Sequence, residues 1–186
     1  SNTKLKHNVW AIEESEKFIW VGAEKGIIRI DKKTLKSTKI LLNLSTDIKK
    51  LRARKILYLK ESNEILIATE GNGIIRYNID NEDTEQFYQD NSLLKSNIVW
   101  NITQDSEGMI WISTNNGVNF YDIKTNRISS NYKLDQTIGS EAVKCVYEDK
   151  SGIIWLGTES KGLFKLKSFS NIDHYTYSAN VSTSLS

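Results

Sequence analysis

An all-β fold of four repeated, four-stranded antiparallel units is predicted by three observations. One short phrase is written four times. It reads Gly108-Met109-Ile110-Trp111-Ile112-Ser113-Thr114, then Asn115-Asn116-Gly117-Val118, and again Gly152-Ile153-Ile154-Trp155-Leu156-Gly157-Thr158, reaching Gly162-Leu163. A third copy is Phe18-Ile19-Trp20-Val21-Gly22-Ala23, reaching Gly26-Ile27, and a worn one is Glu64-Ile65-Leu66-Ile67-Ala68-Thr69, reaching Gly73-Ile74. Second, the glycines Gly26, Gly73, Gly117 and Gly162 recur at about 45 residues, the window of propeller blades and helical solenoids. Third, proline is absent and apolar residues come in short bursts separated by Gly, Asn, Ser and Asp, the rhythm of many short strands. The apolar spacing of three and four that a helical solenoid requires is not found. The expected architecture is therefore a β-propeller with four strands to each blade.

The third unit is the easiest to parse. Val99 to Gln104 reads as a first strand, and Asp105-Ser106-Glu107-Gly108 as its turn, with glycine supplying a conformation closed to other residues. Ile110 to Thr114 form a second strand, Asn115-Asn116-Gly117 a tight connection, Val118 to Asp122 a third strand, and Arg127 to Tyr132 a fourth after Lys124-Thr125-Asn126. The fourth unit runs the same way through Val143 to Glu148, Ile154 to Thr158, Leu163 to Leu166 and Ile172 to Tyr177. Units one and two follow with altered turns, giving blades at about 8–42, 53–89, 97–133 and 142–177.

All five tryptophans fall into two columns of the repeat. Trp20, Trp111 and Trp155 occupy the second strand, with Leu66 in the same place, and large rings repeated there are expected to pack between neighbouring sheets. The other column runs Trp10, Lys55, Trp100, Lys144 near the start of the first strand, where a binding role is more credible. The stretch 178–186 resembles the loop Asp90 to Asn97 that leads into unit three, so the sequence reads as an internal piece of a longer array, with Ser1-Asn2 as a tag remnant.

Composition excludes several classes. With 25 basic and 23 acidic residues the net charge is +2, without the clustered basic face that nucleic acid demands. The one local cluster, Lys49, Lys50, Arg52, Arg54 and Lys55, is expected to be a solvated loop between strands. The single cysteine, Cys145, has no internal disulfide partner and is expected to be buried as a small hydrophobe. No apolar run approaches the ~20 residues of a membrane span, and no signal peptide precedes Ser1.

The pattern Val-Trp-x-Ile-x-x-Asp-x-x-Gly-x-Ile-Trp-Ile-Ser/Gly-Thr-x-x-Gly-Val-x-x-Tyr-Asp over Val99 to Asp122 closely resembles the two-component regulator propeller repeat. Unit two departs from it, with Leu66 for tryptophan and Asn63-Glu64 at the turn glycine. The resemblance implies the extracytoplasmic sensor region of a bacterial membrane receptor, a fragment of a larger, seven-bladed propeller, and a cytoplasmic kinase, response-regulator or cyclic-dinucleotide output module elsewhere. It also implies carbohydrates or their breakdown products as a ligand class. A propeller lyase shares the Gly-x-Ile-Trp rhythm but needs histidine and acidic groups on the central axis, and a scaffolding propeller without a small ligand is a third reading.

Traces of chemistry are thin. The only histidines, His7 and His174, sit near opposite ends, and no His-x-x-x-His, Cys-x-x-Cys or acidic calcium loop occurs. Neither a cofactor nor a metal is expected. Asp105 and Asp149 precede turn glycines at matched positions and are expected to cap those turns. Gly71-Asn72-Gly73 is too short for a phosphate cradle. Any ligand site is expected on the face shared by the loops that enter the first strand and those that join strands two and three. The candidates are Trp10, Arg54, Lys55, Asn97, Trp100, Asn115, Asn116, Lys144 and Glu159. Asn8, Glu24, Lys25, Glu70, Asn72, Ser160 and Lys161 share that face. Flat aromatics beside amides and charges suit sugar stacking and hydroxyl recognition. Four blades cut from a larger ring would leave complementary open ends, so a homodimer is the expected assembly.

Overall fold

The computed structural model describes residues 8–24, 26–44, 51–168 and 171–176. His7, Lys25, Lys49, Lys50, Tyr177 and the stretch 178–186 lie outside them. Among the described residues sixteen strands form four sheets, each an antiparallel meander in chain order. Blade 1 comprises β1 (Val9–Glu14), β2 (Phe18–Ala23), β3 (Gly26–Asp31) and β4 (Ser37–Lys39). Blade 2 comprises β5 (Ala53–Leu59), β6 (Glu64–Thr69), β7 (Ile74–Asn78) and β8 (Thr84–Phe87). Blade 3 comprises β9 (Val99–Gln104), β10 (Ile110–Thr114), β11 (Gly117–Asp122) and β12 (Arg127–Ser129). After the helix α1 (Tyr132–Ile138), blade 4 comprises β13 (Val143–Glu148), β14 (Ile154–Thr158), β15 (Leu163–Ser168) and β16 (Asn171–Tyr175). The chain divides into two compact units, one running to Asn91 and including Asn97–Val99, the other holding Ser92–Ser96 and the chain from Trp100 onward.

The repeated phrase is explained by three local devices. At the first turn of blade 3, Asp105 Oδ1 accepts from the amides of Glu107 and Met109, at 3.1 and 2.8 Å, and Oδ2 accepts from the Trp111 indole at 2.7 Å. Asp149 repeats this in blade 4 with Ser151, Ile153 and Trp155. One carboxylate thus closes the turn and orients the ring that fills the sheet interface. Blade 1 does the same with a turn one residue shorter, Trp20 donating to Ser15 Oγ at 2.9 Å. In blade 2 the ring is gone, and Asn63 takes the left-handed turn position at φ 51°, which asparagine tolerates better than most residues.

At the second hairpin a threonine hydroxyl donates to a glycine carbonyl: Thr69 to Gly73, Thr114 to Gly117 and Thr158 to Gly162. Those glycines have φ of 67°, 86° and 77°, which is why the column admits nothing else. At the third hairpin Asp31, Asn78 and Asp122 cap the following amides, and a residue four further on, Leu35, Glu82 or Asn126, turns left-handed.

Packing follows from the columns. In the first unit Trp20, Ile27 and Ala11 of blade 1 meet Ala53, Ile56, Ile65, Ile67, Ile75 and Tyr77 of blade 2. In the second, Trp111, Val118 and Phe120 of blade 3 meet Val143, Val146, Ile154, Leu156, Phe164 and Leu166 of blade 4. Trp20 and Leu66 are fully buried and Trp111 nearly so, but Trp155 is only half-buried.

Three expectations are corrected. The fourth strand of blade 3 ends at Ser129, not Tyr132, because Asn131 caps a helix by accepting from the amides of Lys133 and Leu134. That helix buries Leu134 and Ile138, spaced one turn apart, in the core of the second unit. Cys145 is exposed, not buried, because it lies on the outward face of β13, which no described sheet covers. The basic cluster is not a solvated loop in its described part: Arg54 and Lys55 lie on β5 and, with Arg52, are ion-paired.

Candidate functional site

The first strands of blades 1, 2 and 4 each carry one irregularity, and several of the candidate residues lie at it. Register shifts fall between Val9 and Ala11, between Ala53 and Lys55, and between Val143 and Cys145, so Trp10, Arg54 and Lys144 are the extra residues of β-bulges. A bulge frees one side chain from the pleat and re-aims it. The column is therefore Trp10, Arg54, Trp100, Lys144: Arg54, not Lys55, stands in blade 2. Lys55 is turned elsewhere, with its Nζ 3.9 Å from Glu13 Oε2.

In the first unit the Arg54 guanidinium lies over the Trp10 ring, 4.5 Å from its centroid. Glu70, the residue after β6, accepts from Arg52 at 2.7 Å through Oε1 and from Arg54 through Oε2. In the second unit the Lys144 ammonium sits 3.8 Å from the Trp100 centroid and 2.9 Å from Glu159 Oε1, and Glu159 follows β14 as Glu70 follows β6. Each unit thus carries one tryptophan from its first blade and, from its second, one glutamate and one cation over the indole, with Arg52 as a further cation in the first unit. A cation over an indole contributes about 0.5 to 2 kcal/mol, more as water is excluded.

Burial would raise the pKa of Glu70, but hydrogen bonds from Arg54 and Arg52, and the charges behind them, outweigh it and hold the carboxyl below the ordinary glutamate range. A lowered folded-state pKa means that the stability Glu70 contributes is present above the unfolded-state value and is lost as pH falls through the folded value. Glu70→Gln is therefore expected to flatten the acid limb of stability in this window. Urea unfolding of both proteins between neutral pH and the acid range measures it, and parallel curves would show that the ion pairs contribute nothing. Glu13 has the opposite sign: burial raises it, against the Tyr58 amide and Lys55, so its contribution is present below the unfolded value and fades as pH rises through the folded one.

The other candidates do not join these clusters. Asn97 accepts from the Gln89 amide, and its carbonyl accepts from Gly71 and Gly73. The Asn116 amide donates to Thr114 Oγ1, which places it in the hairpin turn, and Asn115 is exposed beside it. Glu70 and Arg52 are the partners that stood outside the nine candidates. The signal that finds Glu70 is positional, since Thr69-Glu70 and Thr158-Glu159 share one place in the repeat. At the other end of the strands, the second unit has a groove of about 200 Å³ lined by Asp105, Met109, Trp111, Glu148, Ile154 and Leu166. Two of its carboxylates are engaged, Asp105 by Trp111 and Glu148 by the Ser106 amide at 2.7 Å, and Glu107 also lines it. His174 stacks on Phe164 at 4.1 Å and binds the Lys161 carbonyl, a packing role. Among the described residues no group of three His, Cys, Asp or Glu is placed to hold a metal ion. No described helix is long and apolar enough to cross a membrane.

Four sequential four-stranded sheets, packed in pairs within each unit, define a β-propeller array of blade repeats. The family model described as two component regulator propeller matches residues 93–116 and 137–160, so these two stretches are similar to two-component regulator propeller repeats. Among solved structures, one similar to it is the extracellular domain assigned to the hybrid two component system BT4673 from B. thetaiotaomicron. That likeness has 20% identity and a TM-score of 0.76, and covers 100% of this chain and 24% of that one. The corresponding domain of BT3049 from the same organism is 22% identical with a TM-score of 0.73, over 91% of this chain and 25% of that one. The computationally designed Ika4 protein is 13% identical with a TM-score of 0.62, over 94% of this chain and 95% of that one. The chain thus spans about a quarter of the length of the first two, and at these identities the likeness establishes the fold. No curated protein matches the sequence.

Proposed function

We propose that the chain is a non-enzymatic, extracytoplasmic sensing segment of a bacterial signal-transduction receptor, reading a carbohydrate-derived ligand for an output module elsewhere in the protein. The observation that carries this reading is the family match at 93–116 and 137–160, stretches that contain Trp100, Asn115, Asn116, Lys144 and Glu159. The chemistry available to such a ligand is, within the first unit, carboxylate and guanidinium groups beside Trp10 and, within the second, carboxylate and ammonium groups beside Trp100, suited to hydroxyl and charged substituents. A scaffolding propeller without a small ligand is the second reading. It is favoured by the cations already lying over both indoles, since a sugar would have to use another face or displace them.

A panel of neutral and acidic oligosaccharides, followed by tryptophan fluorescence and melting temperature, separates the readings. A sensing segment is expected to gain stability as RT ln(1 + [L]/Kd) for one class of glycan, without cleaving it, and to lose that gain in Glu70→Ala or Glu159→Ala. No response across the panel would support the scaffold. Turnover abolished by His174→Ala would overturn both in favour of a lyase.

A further inference from the structure

The two units fill one equivalent place with different side chains. In the first unit Ile65 pairs with Tyr58 on one side and with Tyr77 on the other. Ile154 stands where Ile65 does in the repeat, but its partners in the second unit are Glu148 and Leu166. Tyr77 is fully buried and meets Trp20 edge-on, their ring centroids 5.9 Å apart, and Tyr58 packs half-buried against the same core. Trp111 is the counterpart of Trp20, and no phenol meets it. Leu166 and Glu148 leave open part of the space that the two rings take in the first unit. The result is the groove of about 200 Å³ between blades 3 and 4, with Trp111, Ile154 and Leu166 as its floor.

Size, floor and rim together define an occupant. An apolar cavity of about 150 Å³ is enough to hold benzene, so this groove admits one six-membered ring with a short chain. Met109, at its mouth and 38% exposed, is a flexible thioether that contacts aromatic edges favourably. The rim is acidic. Asp105, Glu107 and Glu148 line it against one ammonium, Lys167, which already lies 3.2 Å from Asp173. Trp111 and Ser106, the donors to Asp105 and Glu148, are neutral, and Glu107 is exposed to solvent. The first unit shows the same polarity around its internal ring: burial, and then the Glu82 charge, hold the Tyr77 phenol above its ordinary pKa, a neutral donor facing a carboxylate.

We propose that this groove binds a small aromatic amine, its ring against Trp111 and Leu166 where the first unit places a phenol, and its ammonium against Glu107 and Glu148. The site lies at the opposite strand ends from Trp100 and Lys144, so it does not rest on the carbohydrate reading.

Calorimetric titration of the 186-residue chain with tyramine tests this, with para-hydroxyphenylacetate as the same ring carrying the opposite charge. Tyramine is expected to bind with a Kd of about 1 mM or tighter, within reach of so small a ligand, and para-hydroxyphenylacetate at least about 10-fold more weakly. Leu166→Tyr gives the second unit the residue of the first and is expected to abolish tyramine binding. Because Leu166 is buried, Glu107→Lys at an exposed turn position serves as the second variant. It should weaken tyramine about fivefold, the size of a solvent-screened ion pair, and leave the urea midpoint in place. No tyramine binding below about 10 mM, equal affinity for the two probes, or an affinity unmoved by Glu107→Lys or by a folded Leu166→Tyr would each overturn the proposal.

Discussion

Trp111→Ala is expected to destabilise the second unit by about 3 to 5 kcal/mol, the range for truncating a buried large aromatic, with a similar loss in the first unit for Trp20→Ala. The Trp111 ring is 3% exposed, packs edge-on against Phe120 at 4.8 Å, and belongs to the core shared by blades 3 and 4. Its removal leaves a cavity that two hydrogen-bonded sheets cannot close without breaking register. It also takes the indole donor from Asp105, which must then hold its turn through the Glu107 and Met109 amides alone. Asp105→Ala should cost about 1.5 to 3 kcal/mol as the loss of hydrogen bonds to a charged acceptor. The double variant should cost less than the sum, because the two share one bond. Trp155→Ala is the control: the same motif and the same aspartate bond, but a half-buried ring, hence a smaller loss. Urea unfolding followed by circular dichroism measures all five. A loss below about 1 kcal/mol for Trp111→Ala, no more than an average substitution, would mean that the ring is not core.

The repeat made this much legible, because its residues are fixed by devices that recur. Asp105 and Asp149, the threonine hydroxyls and the positive-φ glycines all act within a few residues of chain, so their spacing survives in sequence. What escaped is what depends on a single local event or on a neighbour. Helix α1 is seven residues long with only Leu134 and Ile138 buried, too brief for periodicity to stand out. Its signals are the Asn131 cap and Gly139 beyond the last turn, where the Gly139 amide donates to the Asp135 carbonyl. A fixed count back from Leu66 lands on Lys55 instead of Arg54 in the aromatic–cation column, because pairing across the first hairpin joins Leu57 to Leu66 but Tyr147 to Trp155, so blade 2 has one more residue between the two columns than blade 4. Nor does residue type reveal that Leu35 and Glu82 take left-handed turns, because neither leucine nor glutamate favours a positive φ; the signal is their place four residues after Asp31 and Asn78. Cys145 sits in an apolar strand, yet its exposure depends on whether another sheet lies against it.

Gly22→Val is expected to cost about 3 kcal/mol, an overpacking effect at the tightest approach of blades 1 and 2. A Cβ at Gly22 would lie 2.9 Å from Ala53 Cβ, 3.0 Å from Ala11 Cβ and 3.1 Å from the Ala53 carbonyl oxygen. None of these atoms can rotate away, because each is fixed to the backbone of a first strand. The obstacle is space alone, since Gly22 is not among the positive-φ glycines. Relief requires β5 to move off β2, and β5 carries Arg54 one residue beyond Ala53. The same substitution should therefore loosen the guanidinium from the Trp10 ring and make that indole more accessible to a soluble quencher. Gly157→Ala provides the contrast in the equivalent place. Its Cβ would lie 2.7 Å from the Cys145 Sγ, but that thiol belongs to an exposed side chain free to turn outward, so the loss should stay below about 1 kcal/mol, within the range of volume changes a site can absorb. Equal losses for the two variants in urea unfolding would show that the small-residue column does not set blade spacing. A large loss at Gly22 with increased quenching of Trp10 would tie that spacing to the geometry of the candidate site.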